Sequence, residues 1–337
     1  MHKAGRIQMI ARWVCRLRRS LVPTLATACI FAAGGAAAAV DFSHGHVLRV
    51  GPGQGFQTLA AALGAAKDGD TIQVQAGTYV NDYAIITHSV HIVGVGGKPH
   101  FVSRGNIPND KAILIDQAPE LVLENLEFSG AEVPDQNGAG VRHEKGILIV
   151  KNCDFHDNQD AILGGRVQGG QVLIEGSSFD HNGAGDGQSH GVYIGEVDSL
   201  TVRNSYFHNT VMGSHLKSRA AHSDIEANRF IDGPRATTNY DIDLCNGGFA
   251  IVKDNIIEKS ADADNRALIH FGGEIKDPVG SLLVQNNTLT SARSNSTAVM
   301  NQTKLPVSFV HNTVGAKIAA IFDGNPGSER ETAKVAR

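Results

Sequence analysis

The sequence predicts an all-β protein whose short strands wind into a parallel solenoid. Three observations carry this: a recurring strand phrase, a turn-rich composition, and one short helical stretch ahead of the first repeat. The phrase reads "LVLENLEF", "ILIVKNCDF", "VLIEGSSF", "LTVRNSYF", "SDIEANRF", "AIVKDNII", "LLVQNNTL" and "VSFVHNTV". Anchored at Asn125, Asn152, Gly176, Asn204, Asn228, Asn255, Asn287 and Asn312, it recurs after 27, 24, 28, 24, 27, 32 and 25 residues. Each phrase alternates apolar and polar residues, as a strand with one buried face does. Two or three such strands and their turns make one coil, and about nine or ten coils are expected. The asparagines are expected to stack as a ladder at about 4.8 Å spacing.

Composition agrees. In 337 residues, 38 are glycine and only 6% aromatic, which suits many turns and short strands.

Residues 1–39 read as an export signal: Arg6, Arg12, Arg16, Arg18 and Arg19 precede an apolar run from Leu21 to Ala33 and a small-residue cleavage site before Val40. Arg18-Arg19 leaves the export route open, and an uncleaved membrane anchor is the alternative. Cleavage would place the protein in the periplasm or outside the cell, with no stable membrane span. It would also remove six Lys/Arg and no Asp/Glu, leaving 24 basic against 34 acidic residues, a formal charge of −10. That balance disfavours nucleic acid as a partner.

Residues 40–320 are expected to form the solenoid. In "GQGFQTLAAALGAAKDGDTIQVQAGTY", Phe56, Leu59, Ala60 and Leu63 have helical spacing, so a short N-terminal helix should cap the core, with "GDTIQVQAGTY" as the first coil. Residues 321–337 read as a polar C-terminal tail. Beyond the signal only Cys153 and Cys245 remain, about four coils apart, too far for a disulfide. Two free thiols follow, Cys153 in the core and Cys245 nearer the surface.

The helix, first coil and asparagine phrases together resemble the right-handed parallel β-helix proteins of the pectin-lyase-like superfamily, over roughly residues 50 to 320. Many chemistries share that fold, so the activity has to be argued from a site.

Between the anchors runs a second strand. Aligning Ile162, Val192, Leu216, Ile242 and Ile269 as inward residues sends Leu163, Tyr193, Lys217, Asp243 and His270 outward in one column. A second outward column is expected to hold Gly191, His215, Asp241 and Leu268, with Arg219 continuing the basic strand. The row His215, Lys217 and Arg219, beside Tyr193, is the candidate glycan surface. An exposed ion-pair ladder, His215 over Asp241 and Lys217 over Asp243, explains the same residues without a ligand.

The run "LKS…N" at Leu216, Lys217, Ser218 and Asn228 resembles the lysine-bearing coil of β-helix alginate and chondroitin lyases. That resemblance implies Lys217 as base in a β-elimination, or in the epimerisation that shares its first step, with Arg219 and His215 handling carboxylate or leaving group. Where those lyases carry arginine and histidine, this chain reads "YDIDLC". Asp241 and Asp243 could instead hold Ca²⁺, freeing Lys217, whereas pairing with Asp243 would make Lys217 a poor base. "SHGVYIG" and "GSHLKSR" resemble coils of polygalacturonase-like glycosidases, matching His190 and Lys217. Of that family's carboxylates only Asp160 matches, because the "DD" pair becomes Gln159-Asp160 and another is replaced around "NGAGV"; Asp241 with Asp243 could form an unrelated pair. His190 falls inward by parity unless it lies in the turn. The expectation is thus a polysaccharide-acting lyase or epimerase, with Tyr193, His270 and His190 binding substrate. The alternatives are a non-catalytic glycan-binding or assembly protein, or a hydrolase.

Overall fold

The structure, a computed structural model, describes residues 40–330 and 332–334; the expected export signal lies outside them. Strands pair in parallel with their equivalents one coil on, forming sheets of 12, 10 and 11 strands. The coil count of about ten agrees with the repeat.

The inward residues of all three sheets fill one continuous core. In the 11-stranded sheet a phenylalanine recurs once per coil. Phe101, Phe128, Phe155, Phe179, Phe207 and Phe230 form a stacked spine with ring centroids 4.5–5.5 Å apart. The offset stacking such rings prefer matches the coil spacing.

The asparagine ladder is real but starts later than the sequence implied, because the anchors mix two adjacent columns. Asn125, Asn152 and Asn204 take left-handed conformations, φ 56°, 50° and 52°, at the turn itself. Asn152 Nδ2 donates to Asn125 Oδ1 at 3.2 Å, but it is the next residue that forms the long ladder. That column reads Cys153, Ser177, Ser205, Asn228, Asn255, Asn287 and Asn312, and each backbone N–H before the last donates to the next side-chain oxygen. Only its last four members are asparagines, whose side-chain amides also bond from coil to coil at 3.0–3.1 Å. Asparagine serves one half as a residue that tolerates positive φ and the other as a buried donor and acceptor.

Both ends differ from expectation. A strand, Val47–Val50, precedes "GDTIQV" and pairs with it, so the stack begins one strand earlier. The helix is Leu59–Leu63, with Thr58 accepting from the Ala61 N–H at its start and Leu59 and Ala62 buried. At the other end the boundary at 320 falls inside the strand Ile318–Gly324, and Ser328–Arg330 and Ala333–Lys334 extend the other two sheets. The segment is polar, but its backbone completes the ladders. Both thiols are free and buried. Cys245 is fully buried rather than near the surface, and burial pushes each thiol up to about 12.

Candidate functional site

The 10-stranded sheet places the candidate residues. Its register runs Ile162, Val192, Leu216, Ile242, Ile269 inward and Leu163, Tyr193, Lys217, Asp243, His270 outward, as the alternation predicted. On the outer face Lys217 Nζ lies 2.7 Å from Glu274 Oε1 and 3.6 Å from Asp243 Oδ2. Arg219 holds the other Glu274 oxygen. Both cations sit over the Tyr193 ring, at 5.6 and 5.3 Å from its centroid. His270 Nδ1 meets Asp243 Oδ1 at 2.7 Å, its Nε2 meets Gln302 Oε1 at 3.2 Å, and its ring stacks on Tyr240. His190 is buried edge-on to Tyr193, and its Nδ1 accepts from the Ser214 N–H.

The second column does not point outward. His215 and Asp241 are wholly buried. Both lie just ahead of their strands, Leu216–Ser218 and Ile242–Leu244, where the turn breaks strand alternation. The supposed basic row therefore splits, with His215 inside and Lys217 and Arg219 outside. Inside, His215 Nε2 is 2.9 Å from Asp232 Oδ1, and Nδ1 is 2.8 Å from Thr210 Oγ1. Lys259 Nζ, also fully buried, is 3.3 Å from Asp241 Oδ2 and donates to the Asn239 carbonyl. Neither Asp241 oxygen has a hydrogen bond. The expected ladder of His215 over Asp241 is thus a buried cluster rather than a solvated pair.

The electrostatics follow from these contacts. Burial alone would lower the Lys217 pKa, but Asp243 and Glu274 outweigh it and hold the ammonium protonated. Burial, reinforced by Lys217, lowers His190 to about 4, so it is neutral. Burial raises Asp241 to about 6 against the pull of Lys259. Burial opposes ionisation of Asp232 too, yet the His215 hydrogen bond and nearby charges keep it at about 2.

Three expectations change. Lys217 is a pinned cation and not a free base. Asp241 and Asp243 lie on opposite sides of the solenoid wall, so they cannot share a Ca²⁺ ion or act as a hydrolytic pair. The outer carboxylates are already engaged by Lys217, Arg219 and His270, a poor donor set for a cation that wants six to eight oxygens. Glu274 was missed, because it lies outside any strand, after Gly272 and Gly273 at φ 84° and 99°. Lys259 was also missed, although it occupies an inward position two residues after Ile257.

The family described as the right handed beta helix region matches residues 102–232. With the parallel three-sheet architecture, this decides the fold. The chain folds as a right-handed parallel β-helix. No curated protein matches this β-helix in sequence. Among solved structures, the PL6 family alginate lyase AlyGC is 16% identical with a TM-score of 0.52, covering 88% of this chain and 40% of the lyase. The β-helix thus spans about two fifths of that lyase. Pectate lyase Pel9A is 12% identical, covering 86% of this chain and 77% of its own, with a TM-score of 0.47. A tailspike capsular polysaccharide depolymerase of Acinetobacter baumannii bacteriophage Fri1 is 11% identical, covering 87% and 63%, with a TM-score of 0.48.

Proposed function

We propose that the protein is exported and acts on a uronate-containing polysaccharide, as a lyase or epimerase. One observation carries this reading: Lys217 and Arg219 together grip the two oxygens of a carboxylate, Glu274, above an aromatic ring. A uronate carboxylate can replace that of Glu274, with its sugar ring stacked on Tyr193. Charge neutralisation there acidifies the carbon next to the carboxyl group, which both reactions require. Among the described residues no helix is long and apolar enough to cross a membrane.

The base then has to be something other than Lys217. His270 fits that role: its Nδ1–H donates to Asp243, and Nε2, which rests 3.2 Å from Gln302 Oε1, takes a proton once substrate displaces that amide. His270 and Lys217 contact opposite oxygens of the same Asp243 carboxylate, so base and carboxylate clamp are neighbours. In elimination the proton passes from the carbon beside the carboxyl group to His270, a carbon–carbon double bond forms as the bond to the leaving oxygen breaks, and that oxygen takes a proton from water. In epimerisation a solvent-derived proton is delivered to the opposite face instead. No step uses a calcium ion held by Asp241 and Asp243.

A second reading, glycan binding without turnover, has one observation in its favour: the clamp is fully ion-paired at rest. The test is to incubate residues 40–337 with acidic and neutral polysaccharides in deuterated buffer. Unsaturated-uronate absorbance, reducing ends and deuterium incorporation are followed together. Absorbance rising with reducing ends establishes elimination, and deuterium entering an unshortened chain establishes epimerisation. Either signal should vanish in His270→Ala. Retention in an affinity gel with no chemical change leaves binding alone. Reducing ends without absorbance, or no retention of any uronate polymer, would overturn the proposal.

A further inference from the structure

On a different face of the solenoid, we propose that His100, Glu127 and His156 form a binding site for a first-row divalent transition metal, zinc by its donor chemistry. The three residues lie on consecutive strands of the 11-stranded sheet: His100–Val102, Glu127–Ser129 and Asp154–His156. Register sets His100 beside Glu127 and Ser129 beside His156. Phe101, Phe128 and Phe155 anchor the strands in the core, so the residues flanking each phenylalanine point out.

The convergence is close. One ligand atom from each residue lies within 4.8 Å of the other two. Glu127 Oε1 is 3.0 Å from His156 Nε2 and 3.6 Å from His100 Nδ1. Tetrahedral zinc with bonds of 2.0–2.1 Å puts its ligands about 3.3 Å apart, in the middle of that range.

The remaining nitrogen of each imidazole is also held. His156 Nδ1 is 2.7 Å from Asp157 Oδ2, and His100 Nε2 is 2.6 Å from Ser129 Oγ. Metal-binding histidines are oriented by such partners, which fix the tautomer and aim the free lone pair at the ion. Asp154, next in the Glu127 column, is taken by Lys98 at 2.7 Å and is not a fourth ligand. Two imidazoles and one carboxylate suit zinc and its neighbours and are poor for calcium or magnesium.

The site is open. The three side chains are 26%, 30% and 32% exposed, enough for an ion to enter and for water to complete its coordination.

The test uses the protein without a histidine tag, stripped with chelator and titrated with Zn²⁺ by calorimetry and with Co²⁺ by visible absorption. One equivalent of metal and an intense tetrahedral Co²⁺ band are expected. His100→Ala/His156→Ala should weaken binding at least 100-fold, and Asp157→Asn by about 10-fold, the range for losing an orienting partner. Circular dichroism of each variant separates lost ligation from lost folding, and Glu127→Gln supplies a near-isosteric third variant. Absence of stoichiometric binding, or binding that survives the double variant, would overturn the site. Neither result depends on whether the protein acts on glycans.

Discussion

Asp241 and Asp243 are separated by one residue, Ile242, and by the wall of the solenoid: Asp241 lies wholly inside, and Asp243 lies on the outer side beneath other side chains. Asp241 joins His215, Asp232 and Lys259 in a wholly buried cluster. Asp243 joins Lys217 and His270 on the outer wall, with Glu274 and Arg219 completing the group. Both groups pair lysine with aspartate and place histidine beside a carboxylate. What differs is solvent. Inside, no water can replace a lost partner, so the cluster serves the fold. Outside, a ligand carboxylate can take the place of a protein one, so that cluster can serve recognition.

Breaking the inner pair should have the largest effect. Lys259→Ala removes the cation beside Asp241, forcing a buried carboxyl to stay unpaired or take up a proton, and should cost about 3–5 kcal/mol in urea denaturation near neutral pH. Lys217→Ala on the outer side should cost less, about 1–2 kcal/mol, because His270 still pairs with Asp243 and Arg219 with Glu274. Equal losses for the two variants would erase the distinction.

A smaller effect is expected in the pH profile. Asp241 is raised from 3.8 to about 6 in the folded protein, so between those values the folded state holds a proton that the unfolded chain has released. Its contribution to stability is full below that window and lost as pH rises through it. His190 is lowered from 6.5 to about 4, so its contribution is absent at low pH and grows as pH rises across roughly the same interval. The two oppose each other. Asp241→Asn should therefore make thermal stability climb more steeply between pH 4 and 6 than in the unmodified protein. A shallower climb would place the titrating group elsewhere.

The smallest change in stability is expected at Glu274. Glu274→Gln should alter it by less than about 1 kcal/mol. It should tighten uronate oligosaccharide binding several-fold in calorimetry, because the clamp loses its internal competitor. Unchanged affinity would mean that glycan carboxylates bind somewhere else.

Much of this arrangement was legible in the sequence. Apolar alternation was enough to set the register of the 10-stranded sheet, because one slip would turn every isoleucine to solvent. Alternation failed at His215 and Asp241, which precede their strands and follow turn geometry instead. It slipped by one at the asparagine phrase, where the turn residue and the stacked residue are neighbours and both tolerate asparagine. Glu274 left no periodic trace, since a loop residue is positioned by tertiary contacts. Lys259 did leave one: a lysine at an inward position announces a buried partner. The His100, Glu127 and His156 group becomes visible only when "HFV", "EFS" and "DFH" are written one beneath another, a consequence of coil stacking rather than of local sequence.

The phenylalanine spine and the asparagine ladder have a joint consequence. With Tyr79 stacked on Phe101 at 5.2 Å, the run of rings extends from Tyr79 to Phe230, where the next ring alongside is that of His215, 6.3 Å away. The side-chain amide ladder starts at Asn228, in the same coil, and runs to Asn312. The two runs meet in one coil but do not exclude each other: within the phenylalanine half, Asn158 also bonds Asn182 amide to amide at 3.1 Å. Register along the solenoid is thus held by several overlapping columns, so that where one column ends another is already in place.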